Sequence, residues 1–250
     1  MNKIIDNISI VIIAANADKV IKKCLDSLVS FKEVILYLNN SSDNTEDIAS
    51  NFSNTNIFHG PFLGFAKTKT KAVSCASNNW ILVIDSDEVI DNELLDSLIN
   101  LNLSEDCVYQ VRRNTFYKNR KIRFCGMSNE KIIRLFNKNI TGFNEVLVHE
   151  SVMLKKLNCH LLNGTINHYS YSSISDLIQK TDSYSSLYAS QNTKRSSLFL
   201  AIIKSIIYFL KIYLFQLGFL DGYVGFLISY SGANGVFYKY LKLYEKNSQL

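Results

Sequence analysis

Residues 80–91 read WILVIDSDEVID, five apolar residues running without a break into the acidic cluster Asp85-Ser86-Asp87-Glu88. A short, uninterrupted, β-branched run marks a strand buried on both faces, because neither face needs the polar alternation that water contact would impose. Residues 80–84 are therefore expected to form such a strand, with Asp85 at its carboxyl end. In open α/β sheets that end is where loops and helix N-termini meet and where ligands bind.

Upstream, ISIVIIAA at 8–15 has the same character and is expected as the first strand. Residues 18–28 place Val20, Ile21, Cys24, Leu25 and Leu28 at helical spacing, and EVILYL at 33–38 returns to strand character. NNSSDNT at 39–45 is a turn-forming cluster, with a helix over 45–52 capped near Asn44 or Thr45. A brief strand at 57–58 and a helix over 65–77 complete the approach to Trp80. This alternation of strand and helix predicts a doubly wound α/β sheet.

Downstream the pattern changes. A helix over 92–100 is followed by strand-like stretches at 108–113, 121–124 and 131–136, which read as an antiparallel or mixed addition to the sheet. From residue 173 onward the chain is mainly helical. The expected organisation is a domain over 1–172 and a helical extension over 173–250.

With 250 residues and a single proline, the chain is long enough to bury a core without staples and too poor in Pro to be a flexible linker. Its net charge of +5 is modest and its cations are scattered, so a nucleic-acid partner is not expected. The five cysteines form no CxxC pair, which argues against a zinc site or a disulfide framework. The apolar run near the N-terminus is too short for a signal peptide, and a cytoplasmic location is expected.

Residues 198–215, LFLAIIKSIIYFLKIYLF, form the most apolar stretch, interrupted by Lys204 and Lys211. Ser197, Lys204, Lys211 and Gly218 recur every seven residues and so trace one narrow polar stripe on a helix. Lysines in the middle of a spanning segment are costly, so this helix is expected to lie in a membrane interface or pack on the body rather than cross a bilayer. Gly218, Gly222 and Gly225 follow an apolar helix rather than a strand, which fits a turn and close packing rather than a phosphate cradle.

Two carboxylates at Asp85 and Asp87 leave the strand in the same direction, so both can address one divalent cation and the diphosphate it holds. The competing reading makes the cluster an acidic cap on the next helix. Its place after a buried strand favours the metal. A dehalogenase-type phosphatase would carry its acidic pair on the first strand, which here ends in Ala14-Ala15-Asn16.

The ordered segments SIVIIAAN, KEVILYLNNSSDNT, LGFAKTKTKAV, WILVIDSDEVI, EKIIRLF, FNEVLVHES, NHYSY and GFLDGYVGF, followed by FYKYLKLYE, span nearly the whole chain. Together they resemble family 2 glycosyltransferases of the GT-A fold, and within them the branch of lipopolysaccharide-core β-glucosyltransferases similar to WaaE. The resemblance implies a GT-A, Rossmann-like, doubly wound mixed sheet with a helical C-terminal extension. It implies an inverting transfer from a nucleotide-sugar donor, UDP-hexose, to a lipid-linked oligosaccharide of the lipopolysaccharide or lipooligosaccharide core. It further implies Mg²⁺ or Mn²⁺ as cofactor and peripheral contact with the inner face of the bacterial inner membrane. A capsular or other lipid-linked glycan is the alternative acceptor, and an inactive glycan- or nucleotide-binding protein the alternative class.

By the same resemblance, Ala14, Asn16, Asn39, Lys67, Lys71, Asp85 and Ser86 form the donor site, and Asp85, Asp87 and His149 hold the metal. Two departures stand out: Asn16 is followed by Ala17 where the family has Glu, and the second strand ends in Leu38-Asn39 where the family has a base-binding Asp. Asn39 retains an amide that can pair with a pyrimidine edge. Glu150 of the Val148-His149-Glu150 segment is expected as the base that takes the acceptor proton, with Glu145 as its rival and Asp106 a third candidate. Lys69 shares its segment with Lys67 and Lys71, but the latter two are four apart and share a face. Glu130 and Arg134 match an acidic residue and an arginine of the family, and Arg134 reads as an acceptor-binding or loop-ordering group or, equally, as half of a structural ion pair. His168, Tyr169 and Tyr171 read as an acceptor-sugar lining or as aromatic packing.

Overall fold

The computed structural model describes residues 4–144, 151–154 and 156–248. Strand β1 (Ile5–Ala14) pairs in parallel with β2 (Phe31–Leu38), and β2 with β3 (Thr55–His59). On its other side β1 pairs in parallel with β4 (Trp80–Val83), with Val11 opposite Val83. The connections are helices α1 (Ile21–Asp26), α2 (Thr45–Ala49) and α3 (Phe65–Ser74).

The two faces of this parallel half sort by parity. Ile8, Ile10, Ile12, Leu36, Leu82 and Ile84 join one buried cluster with Ile21, Cys24 and Leu25 of α1. Val11, Ile35, Tyr37, Ile81 and Val83 join a second with Ala72 and Val73 of α3. A sheet covered on both sides is what the unbroken apolar runs require.

Beyond β4 the sheet turns antiparallel. Short strand β5 (Glu88–Ile90) leads into α4 (Asn92–Ile99), then come β6 (Cys107–Tyr117), β7 (Arg120–Lys121), β8 (Glu130–Asn137) and β9 (Asn158–Tyr171). Among the described residues the sheet order is β3-β2-β1-β4-β8-β6-β9-β5, with β7 against β6. The doubly wound, mixed α/β class expected from the sequence is the observed one.

Strands β5 and β9 were not expected. β5 is only three residues long and hidden in the acidic cluster, and polar residues interrupt the 14-residue β9, so neither shows a clean apolar period. The expected strand over 121–124 is also not one. Arg120 and Lys121 pair with β6 and the Ile122 N–H still donates to the Thr115 carbonyl at 2.9 Å, but the Arg123 and Phe124 N–H groups donate to the Asp221 carboxylate at 3.0 and 2.8 Å.

Two compact units make up the chain. One holds the residues up to Arg113 with Asn129–His168; the other holds Asn114–Ser128 with the residues from Tyr169 onward. The chain passes from one to the other within β6 and within β9. The second unit carries α5 (Ile174–Gln191), α6 (Leu198–Leu210) and α7 (Gly222–Ser248) around a small core that includes Ile122, Leu177, Ile212 and Ile228. Gly225 is needed there, because an added Cβ would come within 1.8 Å of the Gly218 carbonyl oxygen.

Candidate active site

Asp85 follows β4 and continues the parity of Ile81 and Val83, which faces α3. On that helix the buried positions are Ala66, Thr68, Lys69, Ala72 and Val73. Lys69 thus lies on the inward stripe, and its Nζ sits 2.9 Å from Asp85 Oδ1. Lys67 and Lys71, the pair chosen from the sequence, are exposed on α3. Alternate lysines at 67, 69 and 71 look equivalent in the sequence; the 3.6-residue period of the flanking alanines is the signal that singles out Lys69.

A second cation reaches the same carboxylate from β8. Antiparallel pairing sets Leu82 opposite Leu135, which brings Arg134 beside the end of β4. Its Nη2 lies 2.8 Å from Asp85 Oδ2 and also bonds Glu88 Oε1. Of the readings left open for Arg134, the structure shows the ion pair. Its Nε is buried with no hydrogen-bond partner among the described residues.

Glu88 is fully buried and is the centre of this network. It bonds Arg134, faces Arg113 Nη1 at 3.5 Å, and accepts the Asp85 backbone N–H at 3.0 Å through Oε2. Arg113 also bonds Glu130 at 2.6 Å, so Glu130 belongs to the outer edge of the same network. Burial pushes the Glu88 carboxyl up, and Arg134 opposes that push. Asp85 goes the other way: burial resists its ionisation, but Arg134 and Lys69 hold its carboxyl well below the usual carboxylate range. Of the acidic cluster, Glu88 is the structural member.

Asp87 is half-buried and meets a residue that sequence reasoning assigned elsewhere. The register of β5 on β9 sets Glu88 opposite His168, and His168 Nε2 lies 3.2 Å from Asp87 Oδ2. The sequence read His168 as part of an acceptor-sugar lining or of aromatic packing, because β9 and its register on β5 were not foreseen. A carboxylate oxygen beside an imidazole nitrogen fits a divalent cation, the oxygen suiting Mg²⁺ or Mn²⁺ and the nitrogen favouring Mn²⁺. Among the described residues no set of three His, Cys, Asp or Glu side chains completes a cage. His149 lies outside the described residues.

The helix-cap reading of the acidic cluster is excluded. Asp91, not the cluster, caps α4 by accepting the Leu94 N–H at 2.8 Å, and β5 stands between the two.

The loops after β1 and β2 are stitched together beside this strand end. Asn16 Oδ1 accepts the Ser42 N–H at 2.9 Å, and Ser41 Oγ accepts the Asn16 N–H at 2.8 Å. Asp43 is the knot: it accepts the Asp18 N–H at 2.9 Å and the Thr45 hydroxyl at 2.6 Å. Burial resists ionisation of Asp43, but these bonds, that of Thr45 first, lower its pKa to about 2. Ala14 is buried and its carbonyl accepts the Asn39 N–H at 2.9 Å. Leu38, standing where the family has its acid, is sealed in the core. Asn39 and Ser86 are half-exposed.

Residues 9–155 match the family model described as Glycosyl transferase family 2. The chain belongs to this family. The transferase is 32% identical to an uncharacterized glycosyltransferase of Rickettsia typhi, over 95% of this chain and 87% of that protein. It is 24% identical to the lipopolysaccharide core biosynthesis glycosyltransferase LpsC of Rhizobium meliloti, over 96% of this chain and 93% of that one. Among solved structures, S. aureus TarS 1–349 in complex with UDP aligns with 98% of this chain and 92% of its own, at 14% identity and a TM-score of 0.47.

The remaining candidates of the transferase separate clearly. Glu145 and Glu150, the two expected bases, lie outside the described residues. The Asp106 carboxylate is engaged by Ser104, and by Asn158 at 3.2 Å, as part of a turn. In the second unit, Tyr169 stacks on Phe116 with ring centroids 5.0 Å apart, and Lys180 lies 5.1 Å over the Tyr171 ring. Both tyrosines take part in packing.

Proposed function

We propose that this transferase moves a hexose from UDP-hexose to a lipopolysaccharide or lipooligosaccharide core oligosaccharide, with inversion at the anomeric carbon. The observation that carries this reading is the cluster at the end of β4. Asp85 and Asp87 stand there with Lys69, Arg134 and His168, next to the stitched loops at Asn16 and Ser42. A divalent cation, Mg²⁺ or Mn²⁺, held by Asp87 and His168 would offset the charge of the departing diphosphate. Lys69 and Arg134 fix Asp85 and bring positive charge to the strand end, which suits an anionic donor. The Asn39 amide meets the base in place of a carboxylate.

Glu150 is assigned as base, taking the acceptor hydroxyl proton while that oxygen attacks the anomeric carbon and the bond to the diphosphate breaks. The core-glycan acceptor is supported by the likeness to LpsC. Cytoplasmic residence at the inner membrane is proposed from the second unit. Residues 198–215 have a mean hydropathy of 2.0 with 11% of the stretch buried, so their apolar side chains are not consumed by a core. Nearby, burial and the charges of Lys194 and Lys204 push the Lys239 ammonium down, a concentration of positive charge that complements anionic lipid.

Transfer from radiolabelled UDP-sugars to a truncated core glycolipid tests the proposal. Glu150→Gln is expected to lower transfer by about a hundredfold or more while UDP binding is retained. Loss of transfer from Glu145→Gln with Glu150→Gln active would reassign the base, and no turnover with any UDP-sugar would defeat the reading.

A further inference from the structure

The second unit contains a cavity of about 570 Å³ whose lining includes none of the residues assigned to the transfer. Its lining includes Tyr117, Lys118, Arg120, Ser173, Ser175 and Tyr223, and no carboxylate is among the described lining residues. Lys118 and Arg120 are exposed on the hairpin that joins β6 to β7. Lys118 holds a left-handed backbone, φ 53°, where Asn or Gly is usual. Asp176, in the first turn of α5, is engaged by Ser172 through the backbone N–H at 2.9 Å and the hydroxyl. Asp221 is engaged by the Arg123 and Phe124 N–H groups. Both acids are thus held by neutral donors, and among the described residues neither forms an ion pair with Lys118 or Arg120.

The cavity also borders apolar surface. Tyr223 lines it and is 59% exposed, and Phe219, Leu220 and Phe226 close by in the chain are all exposed. Two cations and two serine hydroxyls suit a phosphate group, while the apolar rim suits the chain that carries it.

We infer that this cavity binds the phosphate of a membrane amphiphile, with Lys118 and Arg120 on the phosphate and Tyr223 against the acyl chain. The inference rests on the reading that the second unit meets a bilayer. It deepens that reading by naming a headgroup chemistry.

Calorimetric titration of the full chain with dihexanoyl phosphatidic acid below its micellar concentration tests it without a bilayer. Inorganic phosphate and hexyl glucoside serve as the separate polar and apolar arms. The double variant Lys118→Asn/Arg120→Gln removes both charges and suits the left-handed backbone at 118, and an unchanged melting midpoint verifies its fold. The lipid is expected to bind at least tenfold more tightly than either arm, and the variant roughly tenfold more weakly than wild type. Equal affinity of variant and wild type for the lipid overturns the inference. So does inorganic phosphate binding as tightly as the lipid, which reassigns the cavity to a free anion. Flotation on phosphatidylcholine vesicles reads membrane contact separately, so its failure with lipid binding intact would sink that contact and spare the cavity.

Discussion

Lys69 Nζ stands 2.9 Å from Asp85 Oδ1, a buried ammonium on the inward face of α3 meeting a carboxylate at the end of β4. The contact locks the parallel sheet to the helix layer at the point where the donor is expected. Lys69→Met leaves Asp85 with Arg134 alone and is expected to lower stability by about 2 kcal/mol. Lys67→Met, on the exposed face, is expected to stay within about 0.5 kcal/mol. Urea unfolding of both variants checks this, and an equal effect would refute the placement of Lys69.

Glu88 and Arg134 form a buried pair, so removing one partner strands the other. Glu88→Gln and Arg134→Met are each expected to cost roughly 3 kcal/mol, with the double variant costing less than their sum. A double-mutant cycle that proves additive would show the two are not coupled.

Asp43 ties the loops after β1 and β2, and its folded pKa of about 2 lies below the ordinary aspartate value of 3.8. A depressed acid contributes stability that is fully present above the unfolded pKa and is lost as pH falls through the folded one. Wild type should therefore lose stability from about pH 4 down to about pH 2, and Asp43→Asn should lose less over that window. Parallel stability curves against pH would contradict the bonding described for Asp43.

Asp87 and His168 are expected to set the metal response. Mn²⁺ should strengthen UDP binding to wild type, Asp87→Asn should abolish that gain, and His168→Ala should weaken it roughly tenfold. Metal-independent UDP binding in all three proteins would remove both residues from the site.

Phe199 and Ile206 are 73% and 53% exposed on α6, so replacing both by Glu disturbs little packing. Flotation of the double variant with anionic vesicles is expected to fall sharply while its melting midpoint holds. Unchanged flotation would count against α6 as the membrane face.

Much of the fold was legible because local pattern and burial agree in the parallel half. Unbroken runs at β1, β2 and β4 can only be satisfied by layers on both faces, and the segment order fixed the family resemblance. The place of Asp85 and Asp87 at a strand end was legible for the same reason, since they follow such a run directly. What the sequence could not decide was pairing. His168 meets Asp87 because β9 pairs with β5 in one particular register, and Arg134 reaches Asp85 because β8 runs antiparallel to β4. Such contacts join residues far apart in the chain, and no local period encodes them. The sequence determined that an acidic cluster would end a buried strand; the tertiary structure decided which cations answer each acid and made Glu88 the buried support of that cluster.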